Sequence, residues 1–214
     1  MIALSGVRAR TLSIDSLAIP PGLTAVVGLN GTGKTTLLEA CTGLLLPDEG
    51  TILVDGLPPR EVDAGWVSAS PDRSLLFSRV DDELASPGRF AGLSPIETAA
   101  RATGAAERAG AVRHLSRSVR TLSGGERGVV ALAAALASQP TVLALDEFDG
   151  FLDRETLDDL IPAARDSGAR FVLWSTHDRE LTRAADHAIA LGGGGVAGTG
   201  AAALALFDAW ERAA

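Results

Sequence analysis

Gly28-Leu29-Asn30-Gly31-Thr32-Gly33-Lys34-Thr35 is the stretch whose reading decides the fold. It fits the pattern G-x-x-x-x-G-K-[ST] and lies between an apolar run, Thr24 to Gly28, and a predicted helix that begins near Lys34 and turns Leu37 and Leu38 inward. Strand, glycine-rich turn and helix in that order make a phosphate cradle. Glycines let successive N–H groups converge on phosphate oxygens, and the helix start adds its partial positive charge. Lys34 is placed to reach the β- and γ-phosphates, and the Thr35 hydroxyl to ligate Mg²⁺. Lys34 is also the only lysine among 19 basic residues, which makes its position more informative. The bland alternative, an accidental glycine-rich turn, has the flanking strand and helix against it.

Outward from this loop, apolar runs of strand length alternate with helical segments, the pattern of an α/β protein with a mostly parallel sheet. Thr51 to Val54, Gly65 to Ser68, Thr141 to Leu145, Arg170 to Ser175 and His187 to Leu191 are the further strand candidates. The opening segment, with Leu12, Ile14, Leu17 and Ile19, reads as antiparallel β. Between 70 and 139 the strands stop and Ala-, Arg- and Glu-rich helical sequence takes over, which marks an inserted helical subdomain. Gly192 to Gly195 and Gly198 to Gly200 read as turn and loop before a last helix ending near Trp210.

The 214 residues leave room for one domain with a subdomain, and 46% apolar with 21% charged residues is the balance of a folded chain. No run approaches the roughly 18 apolar residues of a membrane span, and no basic start precedes an apolar block, so a cytoplasmic chain is expected. The lone Cys41 excludes an intramolecular disulfide and reads as a small core residue. A net charge of −8 without a basic tail disfavours a nucleic-acid partner, because phosphate backbones attract Lys/Arg clusters.

Val142 to Leu145 lead into Asp146-Glu147, in a strand expected beside the phosphate-loop strand. Two carboxylates ending an apolar strand need a cation or a chemical task. Asp146 is placed to hold Mg²⁺ and Glu147 to polarise the water that attacks the γ-phosphate; capping of the next turn is the alternative. His177 follows the next strand, at the edge where parallel strands end. A lone histidine is often structural, but that register points to a γ-phosphate ligand.

Leu122-Ser123-Gly124-Gly125-Glu126 stands 19 residues before Thr141 and runs into an Ala-rich helix. Ser123 and the N–H groups of Gly124 and Gly125 make a second anion site at a helix start. This stretch, followed by a strand ending in Asp-Glu, resembles the signature motif of ABC ATPases. The resemblance covers roughly residues 1 to 200 and extends to Leu152-Asp153, which is similar to the end of the family's D-loop. Gly50 to Gly56, with Asp55, is similar to the strand after the first helix. Ser70-Pro71-Asp72 and Val80-Asp81-Asp82-Glu83-Leu84-Ala85 resemble cassettes of energy-coupling-factor and cobalt-type importers.

The resemblance implies a P-loop NTPase of the ABC-ATPase fold, with a core of 1–69 and 140–214 and a helical subdomain of 70–139. It also implies an ATP- and Mg²⁺-dependent ATPase subunit of a transporter. The nucleotide-binding residues are then Leu29, Asn30, Gly31, Thr32, Gly33, Lys34, Thr35 and Thr36 of one cassette, with Ser123, Gly124 and Gly125 of a second packed head to tail. Thr35 and Asp146 hold the metal, while Glu147, His177 and Lys34 are catalytic. Transmembrane permease subunits complete the assembly, with this chain peripheral on the inner membrane face, coupled near 68–77.

Three departures from the family pattern stand out. No aromatic residue precedes Gly28, so either Arg8 or Arg10 stacks on the base in its place or the partner cassette contributes the contact. Ala69 stands where a glutamine is usual. Val129 and Phe148 replace a common arginine and proline. A regulatory nucleotide-binding module without turnover, an ABC ATPase of DNA repair or translation, and a P-loop small-molecule kinase are the rival readings. The kinase has no use for Leu-Ser-Gly-Gly.

Overall fold

The computed structural model describes residues 1–70 and 74–213. Pro71 and Asp72 of the importer-like Ser70-Pro71-Asp72 stretch therefore lie outside the described residues.

Two sheets form. The smaller has the order β2-β1-β4, from β1 (Ile2–Ala9), β2 (Leu12–Ile19) and β4 (Glu49–Val54), all antiparallel. The larger has the order β5-β6-β7-β3-β8-β9, from β3 (Gly22–Gly28), β5 (Ala64–Val67), β6 (Val142–Asp146), β7 (Phe171–Ser175), β8 (His187–Gly192) and β9 (Gly195–Thr199). Its first five strands run parallel, and only β9 is antiparallel, against β8. The α/β reading and the antiparallel opening segment are as expected.

The central strands are apolar without alternation because both faces are covered. In β6, Val142 and Ala144 face the small sheet and helix α1 (Lys34–Cys41), while Leu143 and Leu145 face the opposite helical layer. Leu37 and Leu38 of α1 are fully buried between the sheets. Helices α2 (Val80–Phe90), α3 (Pro95–Arg108) and α4 (Gly124–Ala137) fill the stretch between β5 and β6. The apolar side of α4 joins the cluster under β5 and β6, next to α5 (Arg154–Arg165). Helix α6 (Arg179–Ala184) precedes β8, and α7 (Ala201–Ala213) packs Ala203 and Phe207 onto β3 and β8.

Three expectations need correction. Thr51 to Val54 belongs to the small sheet, paired antiparallel with β1, rather than to the parallel sheet. Gly50 makes that crossing feasible: it holds φ +82°, and a Cβ there would stand 2.4 Å from the Gly6 backbone. Gly195 to Thr199 is a strand, not a loop: Gly193 and Gly194, with φ of 60° and 82°, make the tight turn, and the chain then pairs back along β8. The strand of Asp146 is not adjacent to the phosphate-loop strand, because β7 lies between β6 and β3. Glycine-rich composition hid the strand, and local sequence does not encode strand order.

Candidate nucleotide site

The parallel strands end together, and the residues singled out above gather there. Gly28 closes β3 at φ 156°, where a Cβ would come within 2.6 Å of the Leu191 carbonyl oxygen and the Thr32 hydroxyl. Only glycine fits this approach. Gly31 and Gly33, with φ of 78° and 101°, then turn the chain into α1. The first turn of α1 carries no acidic residue of its own to oppose an anion at the helix start.

Lys34 is 4% exposed, and its Nζ donates to the Gly28 carbonyl at 2.9 Å. The same ammonium lies 3.1 Å from Glu147 Oε1 and 3.2 Å from His177 Nε2, and the histidine nitrogen is 3.3 Å from Glu147 Oε1. Burial opposes the charge on Glu147, but Lys34 and His177 outweigh it and hold the carboxyl below its usual range. The carboxylate is thus ionised at neutral pH and able to accept a proton or orient a water.

Thr35 Oγ1 donates to Asp146 Oδ2 at 2.8 Å. Asp146 is buried and also accepts from Ser175 Oγ at 2.7 Å. Among the described residues, no three His, Cys, Asp or Glu side chains gather as a metal cluster. One hydroxyl and one carboxylate side by side are the hard-oxygen partial set that suits Mg²⁺, which keeps waters and takes phosphate oxygens for the rest. The residues present therefore fit that ion.

Ser175 is a residue that sequence reasoning missed. Besides binding Asp146, its Oγ accepts from the Glu147 N–H at 2.8 Å, so one hydroxyl aligns both carboxylate residues. Asp149 is another: its carboxylate accepts from Trp174 Nε1 at 3.0 Å and from Thr176 Oγ1 at 2.7 Å. Burial pushes its carboxyl up, partly offset by these donors. Polar residues closing the apolar run of β7 were the available signal. Phe148, in place of the usual proline, is fully buried and packs on Trp174 with ring centroids 5.8 Å apart.

Ser123 caps α4 in a capping box: its Oγ accepts from the Glu126 N–H, and Glu126 Oε2 accepts from the Ser123 N–H at 2.7 Å. Arg117 braces Glu126 at 2.7 Å, and the two contacts pull the Glu126 carboxyl down to about 2. Ser123 and Gly124 face solvent, and Asp153 and Thr156 lie alongside Gly125. The cleft of about 160 Å³ over the loop is lined by Thr11, Gly31, Gly33, Lys34, Thr35, Thr36 and Glu147, and none of Ser123, Gly124 or Gly125 borders it. Leu29 and Asn30 sit on the other side of the loop, facing Phe207 and Trp210 of α7.

Arg8 and Arg10, expected to stack on a base, are instead tied to Asp15 at 2.7 Å and Glu39 at 2.6 Å, and Thr11 is the residue of that hairpin that reaches the cleft. Ala69 is exposed just beyond β5, and Val129 is buried under α5. No helix among the described residues is long and apolar enough to cross a membrane.

A family profile described as ABC transporter matches residues 12–149. The energy-coupling factor transporter ATP-binding protein EcfA1 of Symbiobacterium thermophilum is 34% identical over 183 residues, 80% of this chain and 64% of that protein. The biotin transport ATP-binding protein BioM of Rhizobium etli is 35% identical over 174 residues, 78% of this chain and 76% of that one. Among solved structures, cbiO1 of Clostridium perfringens, described as part of the transporter complex cbiONQ, superposes with a TM-score of 0.84 over 99% of this chain and 92% of its own, at 24% identity.

Proposed function

The chain belongs to the ABC transporter family of ATP-binding subunits, and from that premise we propose that it binds and hydrolyses ATP to drive separate membrane subunits. The observation that supports turnover most directly is the meeting of Lys34, Glu147 and His177 within 3.3 Å at the head of the phosphate loop.

In this reading the backbone of Leu29 to Thr36 cradles the phosphates, and Lys34 leaves Glu147 to bind the β- and γ-phosphate oxygens. Thr35 and Asp146 would hold Mg²⁺, which when bound neutralises charge developing on the phosphates. Glu147 then orients the attacking water and takes its proton, and His177 contacts the γ-phosphate. Ser175 keeps the two carboxylate residues in register throughout. Residues 70–139 act as the helical subdomain, and Ser123, Gly124 and Gly125 close over the nucleotide of a second cassette. Likeness to EcfA1, BioM and cbiO1 supports an importer of the energy-coupling-factor or cobalt type, with permease subunits contacted near 68–77.

Glu147→Gln keeps the shape and hydrogen bonding of the site while removing the base. Phosphate release, measured with the partner subunits present, should fall by about 10²–10⁴-fold while nucleotide binding persists. Release at the unaltered rate would remove Glu147 from this role. A second reading, a nucleotide-gated module with little turnover, is favoured by Ala69, whose methyl group offers the metal and the coupling surface no oxygen. The same assay separates the two, because such a module releases little phosphate even before substitution.

A further inference from the structure

Past Glu147 the chain turns back against the end of β7, and Asp149 sits in that turn. One of its carboxylate oxygens accepts from Trp174 Nε1 of β7 at 3.0 Å, the other from Oγ1 of Thr176, just past that strand, at 2.7 Å. Thr176 is fully buried, and its N–H donates to the Val26 carbonyl at 3.1 Å. Its hydroxyl has one proton, which goes to Asp149, so the oxygen's lone pairs are left to accept from the Asp178 N–H at 2.8 Å. Arg154, the first residue of α5, holds the Asp178 carboxylate at 3.1 Å. His177 is the residue between Thr176 and Asp178, and both of its neighbours are tied down.

The His177 side chain has no such fixture. It is 45% exposed, and its polar contacts among the described residues are Lys34 Nζ at 3.2 Å and Glu147 Oε1 at 3.3 Å. In the proposed function nucleotide takes over both, since Lys34 moves to the phosphates and Glu147 to the attacking water. What then aims the imidazole is the backbone of 176–178. Ser175 does not supply that hold, because its hydroxyl is engaged by Asp146 and the Glu147 N–H. Anchoring the turn needs no charge either, since Phe148 already packs on Trp174. A carboxylate, with two acceptor oxygens in a fixed fork, is what spans both residues flanking Ser175.

We propose that Asp149 is a positioning residue for His177: acting through the Thr176 hydroxyl, its carboxylate holds the histidine where it meets the γ-phosphate. The inference rests on the proposed function, which gives His177 that task, and adds the residue that makes the contact possible.

The test is a double-mutant cycle read on equilibrium binding, which needs no turnover. Affinities of the full chain for AMP-PNP, a non-hydrolysable ATP analogue, and for ADP are measured by calorimetry with Mg²⁺ present. His177→Ala should lower the preference for AMP-PNP over ADP about tenfold, the scale of one lost hydrogen bond to a charged group. Asp149→Ala should lower that preference about threefold or more while ADP affinity stays the same. In the His177→Ala chain, Asp149→Ala should change it no further, because the residue it acts through is gone. Thr176→Val removes the hydroxyl and should repeat the effect of Asp149→Ala, whereas Thr176→Ser should restore the preference. This pair carries the test if Asp149→Ala folds poorly. Equal losses for both nucleotides, or a loss that persists undiminished in the His177→Ala chain, would overturn the inference and leave Asp149 a purely structural residue. A preference untouched by His177→Ala removes the γ-phosphate task of the histidine, and the inference with it. Failure of the unaltered chain to bind either nucleotide sinks the proposed function itself.

Discussion

Glu147 holds φ +46°, in the left-handed region that costs a non-glycine residue on the order of 1 kcal/mol. The conformation persists because its N–H is held from two sides, by the Ser175 carbonyl at 3.0 Å and the Ser175 hydroxyl at 2.8 Å. Ser175→Ala should therefore lower turnover more than nucleotide affinity, a kcat effect with little change in KM, since it loosens the aim of Glu147 and Asp146 without touching the phosphate cradle. Asp149 works on the same loop. Asp149→Ala strands the Trp174 N–H and the Thr176 hydroxyl, and denaturant unfolding should show a loss of about 1–3 kcal/mol. Glu126 gives a pH signature. Its folded pKa lies near 2 against an ordinary 4.5, so what it contributes is fully present above about pH 4.5 and fades as pH falls toward 2. Melting curves of the protein and of Glu126→Gln should differ at pH 6 and converge on acidification below 4.5.

At the scale of elements, helix α4 depends on its first turn. Four N–H groups there lack helical partners, and Ser123 with Glu126 satisfies two of them. Ser123→Ala should cost about 1 kcal/mol in urea unfolding, independently of any role in binding nucleotide. The same elements show what the sequence made readable. Glycines 28, 31 and 33 and the start of α1 were legible because a phosphate cradle constrains consecutive residues, and β6 and β7 because burial on both faces leaves an apolar run. What stayed hidden depends on distant partners. Thr51 to Val54 pairs with β1 only after the chain has crossed to the other sheet, and nothing local announces it. Gly195 to Thr199 has almost no side chains to alternate, so its strand character comes from β8. Arg8 and Arg10 read as free cations until Asp15 and Glu39 claim them. Ser175 and Asp149 became visible as site residues only when folding set β7 against the Asp146–Glu147 turn.

The two proposed nucleotide-contacting segments, the phosphate loop and the start of α4, do not meet within one chain. The cleft beside Lys34 is lined without Ser123, Gly124 or Gly125, and the start of α4 opens to solvent. A single chain packed this firmly will not bring them together by a small adjustment, since α4 is buried along β5 and α5 in the main core. In the proposed function, a second copy or a related cassette, turned head to tail, would place one over the other, with the nucleotide between them. Light scattering of Glu147→Gln with ATP and Mg²⁺, alone or with its partner cassette, should show the 21.9 kDa chain moving to a two-cassette mass, and ADP should not support the change. Gly124 is the position that tests the geometry. A Cβ there meets nothing within 4 Å, and an acidic residue near a helix start is tolerated or mildly stabilising, so Gly124→Asp should fold normally. Its carboxylate would nonetheless face the γ-phosphate across the joint, and repulsion there should abolish association while leaving ATP bound at Lys34. Persistent association of the Gly124→Asp, Glu147→Gln chain would mean that the start of α4 never touches nucleotide.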